Sequence, residues 1–221
     1  MARYPFDAYP GSTESPVMSA TAAVASDLQD RMAIAAAIAD WGIFRDGGHW
    51  DALSDLYTRD AVMVTTWCKG DAEEFISRSK AAFARGARGQ HFIGNSSVRI
   101  NKDRAVADTR MSILVRAKIE GTEVDVTCIG RFHDRFVRQA DRWRIQVRTP
   151  VYDKDRIDPV TPGAVVKLDP ALLARFAPGY RHLAYCQSLA GDQLTPGLPT
   201  PGSAEEAALL AESAAWLTAS H

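Results

Sequence analysis

Asp46 and the run Gln90-His91-Phe92-Ile93-Gly94-Asn95 are the parts of this 221-residue chain best equipped for chemistry. A histidine, with an ordinary pKa of about 6.5, can take a proton from carbon or oxygen near neutral pH without a metal or cofactor. It does so well only when a partner orients its second ring nitrogen. Asp46 falls in the last turn of an apolar-rich helix closed by Gly47-Gly48, where the helix dipole disfavours a carboxylate. An acid there is either solvated or held by something positive, such as protonated His91 or Arg45. By pattern alone, a single histidine near a strand end is more often a surface or satisfied core residue than a base.

The elements that must position this pair can be read along the chain. Residues 1–25, with Pro5, Pro10, Gly11 and Pro16, read as an extended arm. Ser26 and Gln29 form a capping box that opens a helix from Asp27 to about Asp46. Trp50, Leu53, Leu56 and Tyr57 recur at helical spacing, residues 61–67 read as a strand, and acid-rich Asp71-Ala72-Glu73-Glu74 starts a third helix running to about Arg85. From Gln90 the period becomes that of strands, near 90–100, 104–118, 122–137 and 142–152. The turns between them are expected at Asn101-Lys102-Asp103, Glu120-Gly121 and Ala140-Asp141. Helices followed by an antiparallel meander give an α+β class, in which the helices cover one sheet face and leave a hollow suited to a small molecule.

Three regions follow: the arm 1–25, a body at 26–157 and a helical extension at 158–221. In the extension, Asp169-Pro170 starts a helix to about Tyr185 or Leu189, with a possible break at Pro178-Gly179. Ser203-Ala204-Glu205-Glu206 caps a final helix to about Thr218, whose apolar stripe is Ala207, Leu210, Ala211, Ala214 and Leu217. These helices are too short for a domain and must pack on the body or on a neighbouring subunit. Together with Tyr4-Pro5-Phe6 they predict a homo-oligomer.

Composition narrows the function. The chain is 46% hydrophobic and 24% charged, with 26 basic against 27 acidic residues and a formal charge of -1. No basic stripe argues for nucleic acid, and no apolar run is long enough for a membrane span. Cys68, Cys128 and Cys186 show no CxxC spacing, which reads as buried thiols in a cytoplasmic protein. The five histidines lack HxH, HxxxH and HExxH spacings, so no metal is expected. No phosphate-binding glycine loop or GxSxG elbow implies a nucleotide cofactor or a nucleophilic serine.

The stretch Phe44-Arg45-Asp46-Gly47-Gly48-His49-Trp50-Asp51-Ala52-Leu53, followed by Gln90-His91-Phe92-Ile93-Gly94, resembles scytalone dehydratases. It is similar, more distantly, to hexachlorocyclohexane dehydrochlorinases and other SnoaL-like enzymes of the nuclear transport factor 2-like superfamily. The resemblance implies a cone-shaped, curved antiparallel sheet wrapped round N-terminal helices, catalysis by an Asp46–His91 pair, no cofactor, and a trimer in preference to a dimer. Two tyrosines of the scytalone dehydratases fall at Arg45 and Thr65, and a second histidine falls near Arg116, which puts a scytalone-type pocket in doubt. Arg116, if turned into the hollow, would favour an anionic substrate or a developing oxyanion; otherwise it is a solvated strand arginine.

Strand alternation puts Arg131, His133 and Arg135 on one face. Arg142, Arg144, Gln146, Arg148, Pro150 and Tyr152 likewise alternate with Trp143, Ile145, Val147 and Val151. This reads either as a polar convex face or as a placement of Arg148 or Tyr152 at the cavity mouth. Phe44, Trp50, Trp67 and Phe92 suit an aromatic or polycyclic hydroxylated substrate, or belong to the core. The leading expectation is a cofactor-independent lyase that releases water, halide or an aldehyde fragment. The alternatives are a SnoaL-like isomerase or cyclase, and a non-catalytic ligand-binding or adaptor protein.

Overall fold

The computed structural model describes residues 20–219, so segment 1–19 of the expected arm lies outside the described residues. α1 (Ala20–Gly47) is one helix of 28 residues. Ser26 is therefore not an N-cap, and residues 20–25 are helical, because the Ala-rich stretch before Ser26 has high helix propensity. Ile34, Ala37, Ile38 and Trp41 recur on one face of α1 and are buried, while Asp40 is exposed. Gly42 lets the helix lie close to the sheet: a methyl there would come within 2.9 Å of Ile93 Cγ1.

α2 (Trp50–Ser54) turns the chain into β1 (Tyr57–Val64). Tyr57 belongs to the strand and not to a helix, because it pairs with Ile145. β2 (Lys69–Asp71) precedes α3 (Ala72–Ala84), capped where the Asp71 carboxylate accepts the Glu74 amide. The long strands are β3 (Gly89–Asn101), β4 (Arg104–Ile119), β5 (Thr122–Gln139) and β6 (Arg142–Pro159). Left-handed backbone at Lys102, at Glu120-Gly121 and at Ala140-Asp141 makes the three turns. The six strands form one curved, unclosed sheet in the order β2-β1-β6-β5-β4-β3. It is not wholly antiparallel, since β1 runs parallel to β6. α1 packs against β3 and β6 and fills the concave side.

Two register shifts on β6 change which residues face inwards. Arg135 pairs with Val147 but Phe136 pairs with Ile145, so Gln146 is an extra residue; Gly130 pairs with Tyr152 but Ile129 pairs with Lys154, so Asp153 is another. Each bulge inverts the alternation. Ile145 faces in before the first bulge, then Arg148, Pro150 and Tyr152 face in, then Asp155 and Ile157. The uninterrupted alternation expected for 142–152 is thereby corrected: Arg142 and Arg144 stay apart from Arg148, which is fully buried.

The C-terminal extension packs on its own body. α4 (Pro170–Leu173) and α5 (Arg181–Leu189) are separate helices, broken around Pro178-Gly179, and α5 lies against β4, β5 and β6. α6 (Ala204–Thr218) packs on β3 and β4 and reaches the outward side chains of β5. Beneath it Arg131, His133 and Arg135 are only 6%, 1% and 8% exposed. Such a surface needs polar partners. α6 supplies Glu206, 2.5 Å from Arg131, and the fully buried Ser213, 3.0 Å from Arg135 Nε. Trp216 lies under the guanidinium groups of Arg104 and Arg135. The expected apolar stripe is corrected: Ala207, Ala211 and Ala214 are exposed, because the helix turns its polar side to a basic surface. No helix among the described residues is long and apolar enough to cross a membrane.

α6 should be separable energetically from the hollow. Ser203→Ala, which removes the cap on the Glu206 amide, should cost about 1 kcal/mol. Glu206→Ala should cost about 2 kcal/mol, because a nearly buried Arg131 loses the nearer of its two carboxylates and keeps Asp108 at 3.2 Å. Urea unfolding of both variants gives the order, and an equal or reversed ranking would contradict the account of α6.

Candidate active site

The last turn of α1 and the start of β3 meet through one carboxylate. Asp46 Oδ2 accepts the His91 amide at 2.6 Å, and Oδ1 lies 2.7 Å from His91 Nδ1. β3 is an edge strand, so this amide is free to bond a side chain. The double grip compensates a carboxylate at the unfavourable end of a helix, and Arg45 Nη1, 3.6 Å from Oδ1, adds to it. With Nδ1–H donated to Asp46, the ring presents its lone pair on Nε2. Burial holds the His91 pKa below the ordinary histidine value; Asp46 opposes this, and Arg45 and Arg148 reinforce it. The imidazole is accordingly neutral near pH 7.

His91 faces a small cavity of about 90 Å³ between α1, β1 and the concave side of the sheet. Trp41 meets the His91 ring edge-on at 5.1 Å, and Phe132 lies 6.4 Å away. The same two rings, themselves edge-to-face at 5.2 Å, form a corner that holds the Arg148 guanidinium, at 4.4 Å from Trp41 and 4.1 Å from Phe132. Arg148 makes a bidentate pair with Asp134, at 2.8 Å from Nε and 2.7 Å from Nη2, and neither side chain is exposed. Its remaining nitrogen, Nη1, is buried without a hydrogen-bond partner, as is Gln187 Oε1 from α5. The site therefore holds an oriented neutral base, an unused cationic donor and an unused acceptor within aromatic walls.

A larger cavity of about 510 Å³ opens beside the first. The two share Arg45, Trp67, Gly89, Val115, Leu183 and Gln187 as lining. The inner space is small against the roughly 300–1,000 Å³ usual for ligand sites, so it fits only the reacting end of a molecule whose remainder lies outside it.

Of the residues singled out in the sequence, Asp46 holds His91, and Arg45, Thr65, Trp67, Arg148 and Tyr152 line the inner cavity with it. Thr65 also braces a turn, its Oγ1 accepting the Cys68 amide at 2.9 Å. The Tyr152 hydroxyl is held well above its ordinary pKa by burial. Three residues are not brought there. Trp50 packs on Phe83 of α3. Phe92, next to His91 on a strand, points the opposite way and is 69% exposed. Arg116 likewise turns from His91, pairs with Asp125 at 2.9 Å through two nitrogens, and reaches only the outer cavity.

Trp41, Phe132, Asp134 and Gln187 were not singled out. Trp41 was legible, one helical turn before Arg45, but Asp134 emerges only from its pairing with Arg148 across β5 and β6. Among the described residues, no group of three or more His, Cys, Asp or Glu side chains is placed to hold a metal. Cys68, Cys128 and Cys186 are free and buried.

Residues 26–149 match the SnoaL-like domain family. Pea pathogenicity protein 2 of Fusarium vanettenii is 33% identical over 153 residues, covering 68% of this chain and 66% of that protein. An uncharacterized protein of Emericella nidulans is 34% identical over 158 residues, 67% of this chain and 66% of the other. The chain thus spans just under two thirds of the length of these curated relatives. Among solved structures, a hexachlorocyclohexane dehydrochlorinase (LinA, type 2) aligns with a TM-score of 0.53 at 14% identity, over 66% of this chain and 98% of that one. A candidate scytalone dehydratase of Novosphingobium aromaticivorans also gives 0.53 at 14% identity, over 65% and 99%. At that identity the likeness shows the fold alone.

The buried pair makes a stability prediction. Asp134→Asn, which strips the charge facing Arg148, should cost about 3–5 kcal/mol. Replacing both partners, as Asp134→Leu with Arg148→Met, should recover most of that loss in urea unfolding. A double variant as unstable as the single one would show that the pair is held by packing and not by compensated charge.

Proposed function

The chain belongs to the SnoaL-like domain family, and on that premise we propose that it is a cofactor-independent lyase acting on an aromatic or polycyclic hydroxylated small molecule. The observation that carries this reading is the double grip of Asp46 on His91, which leaves Nε2 unbonded in an aromatic-lined hollow. Family membership is consistent with a small-molecule lyase or isomerase. The dehydratase and dehydrochlorinase among its structural neighbours fit the choice of elimination, although their likeness is one of fold.

In the proposed reaction His91 Nε2 removes a proton from the substrate carbon next to the one bearing the leaving group. The C–H electron pair becomes the new double bond as the C–O bond breaks. The hydroxide that departs takes the proton back from His91 and leaves as water. Asp46 holds the tautomer and stabilises the imidazolium formed on the way. Arg148 Nη1, a fixed and buried donor, is suited to the charge developing on the departing oxygen, or on a carbonyl oxygen conjugated to the reacting carbon. Trp41, Phe132 and Trp67 enclose a flat substrate and exclude water.

His91→Ala should lower kcat on the order of 10²–10⁴-fold, the range of a lost general base, with the fold intact. Asp46→Asn should lower kcat more than it raises KM. Loss of one water mass in the product separates elimination from isomerisation, in which mass is unchanged. Wild-type turnover by His91→Ala would remove it from the reaction.

The pH profile gives a second test. Because burial depresses the His91 pKa, kcat/KM should hold below pH 6.5 and fall only as pH drops through the depressed value. Asp46→Asn removes the support that raises this pKa, so its acid limb should move to still lower pH. The same depression means that the unfolded chain takes a proton near pH 6.5 and the folded chain does not, so this residue subtracts stability as pH falls below 6.5. An acid limb above pH 7 in the wild type would contradict a buried neutral base.

A further inference from the structure

The outer cavity is basic although the chain as a whole is not. The whole chain carries a formal charge of -1, yet this cavity is lined by Arg45, Arg78, Arg85, Arg88, Arg116 and Lys118, against Asp192 as its acidic side chain. Some of that charge is spent locally. Arg78 lies 3.4 Å from Glu74, Arg116 is paired with Asp125, and Arg45 is 3.6 Å from Asp46. Arg88 instead donates to the carbonyls of Phe83 and Ala87, which orients it without neutralising it. Arg85 and Lys118 make no ion pair with a described residue.

A wall of this kind, beside an aromatic hollow, is unfavourable unless water or an anion offsets it. The inner end points the same way: Arg148 is fully buried and aims an unpartnered nitrogen into the hollow. Arg45 stands at the junction, since it lines both cavities. Trp67 and Val115, also shared, offer the apolar surface along which a ring system would pass from one space to the other.

We propose that the substrate is an aryl or polycyclic carboxylate, with its reacting carbon beside His91 and its carboxylate in the outer cavity facing Arg45, Arg85, Arg88 and Lys118. Only the orientation of the substrate rests on the reading of His91 as the base. Recognition of the anion is a property of the outer cavity and is measurable without turnover. The long axis of such a molecule runs from the Asp46–His91 pair towards the α3–α5 side, and low ionic strength strengthens its capture.

The test is isothermal titration with 2-naphthoate and with its neutral isostere 2-naphthamide, at low and at high salt. Wild-type protein should prefer the naphthoate by about tenfold or more, the scale of a few partly exposed charge contacts, and lose part of that preference in high salt. Arg85→Glu combined with Lys118→Glu changes two exposed residues that no core contact requires, and should abolish the preference. Arg45→Gln should reduce it. Equal affinity for the two probes, binding of neither, or a preference unchanged in the double variant would overturn the proposal.

The same titration on His91→Ala, with His91→Gln as a less disruptive companion, separates the two readings. Preference retained in a variant whose turnover is unaltered would sink the base assignment alone. Absent preference with abolished turnover would sink the carboxylate assignment alone.

Discussion

The arginine–carboxylate pair of Arg148 and Asp134 is the interaction on which the interior of this protein turns. Two fully buried charges survive in an apolar hollow only if each meets the other with good geometry, and here two parallel hydrogen bonds do so. That demand fixes the register of β5 on β6 and requires the bulge at Gln146, because without it Arg148 would face the other way. Trp41 and Phe132 complete the cage, which ties α1 to the sheet. The His91 ring lies against the same two aromatics, so the charged pair and the proposed base share one wall.

What holds His91 is different in kind. The Asp46 carboxylate at the end of α1 grips both the backbone and the ring of one residue on an edge strand. The end of the helix and the orientation of the ring are thereby tied together by one carboxylate, on the side of β3 that has no neighbouring strand. His182 and Asp155 repeat this geometry at the start of α5: the carboxylate takes the His182 amide at 2.6 Å and lies 2.8 Å from its Nδ1. There it also accepts the Leu183 amide at 2.8 Å and serves as a helix cap. The motif is thus a structural clip, and what distinguishes the Asp46–His91 instance is that its ring lines the inner cavity.

Much of this arrangement was legible in the sequence because it depends on local rules. A carboxylate stranded before Gly47-Gly48 needs a partner, strand propensity starts at Gln90, and turn residues separate the long strands, so helix end and strand start were both locatable. The interior face of β6 was not legible. A bulge shifts every later side chain by one position, and nothing in Arg144-Ile145-Gln146-Val147-Arg148 announces it; only the buried Asp134 across the ladder explains it. The orientation of α6 was missed for a related reason. Apolar periodicity assumes an apolar target, whereas this helix covers arginines and a histidine, and Glu206, Ser213 and Trp216 answer that surface. Phe92 and Trp50 looked like substrate contacts because they sit close in sequence to the two key residues, but strand alternation and α3 draw them elsewhere.

The roof of the hollow comes from outside the segment shared with the family. Pro150, Tyr152, Leu183 and Gln187 line the inner cavity, yet the family match ends at residue 149. The Asp46–His91 contact and part of the cavity lining are consequently encoded in separate stretches of chain. Replacement of side chains on α5 reshapes the space without disturbing the clip between α1 and β3. The helices beyond the family match thus set the shape of the space, while the contact between Asp46 and His91 belongs wholly to the matched segment.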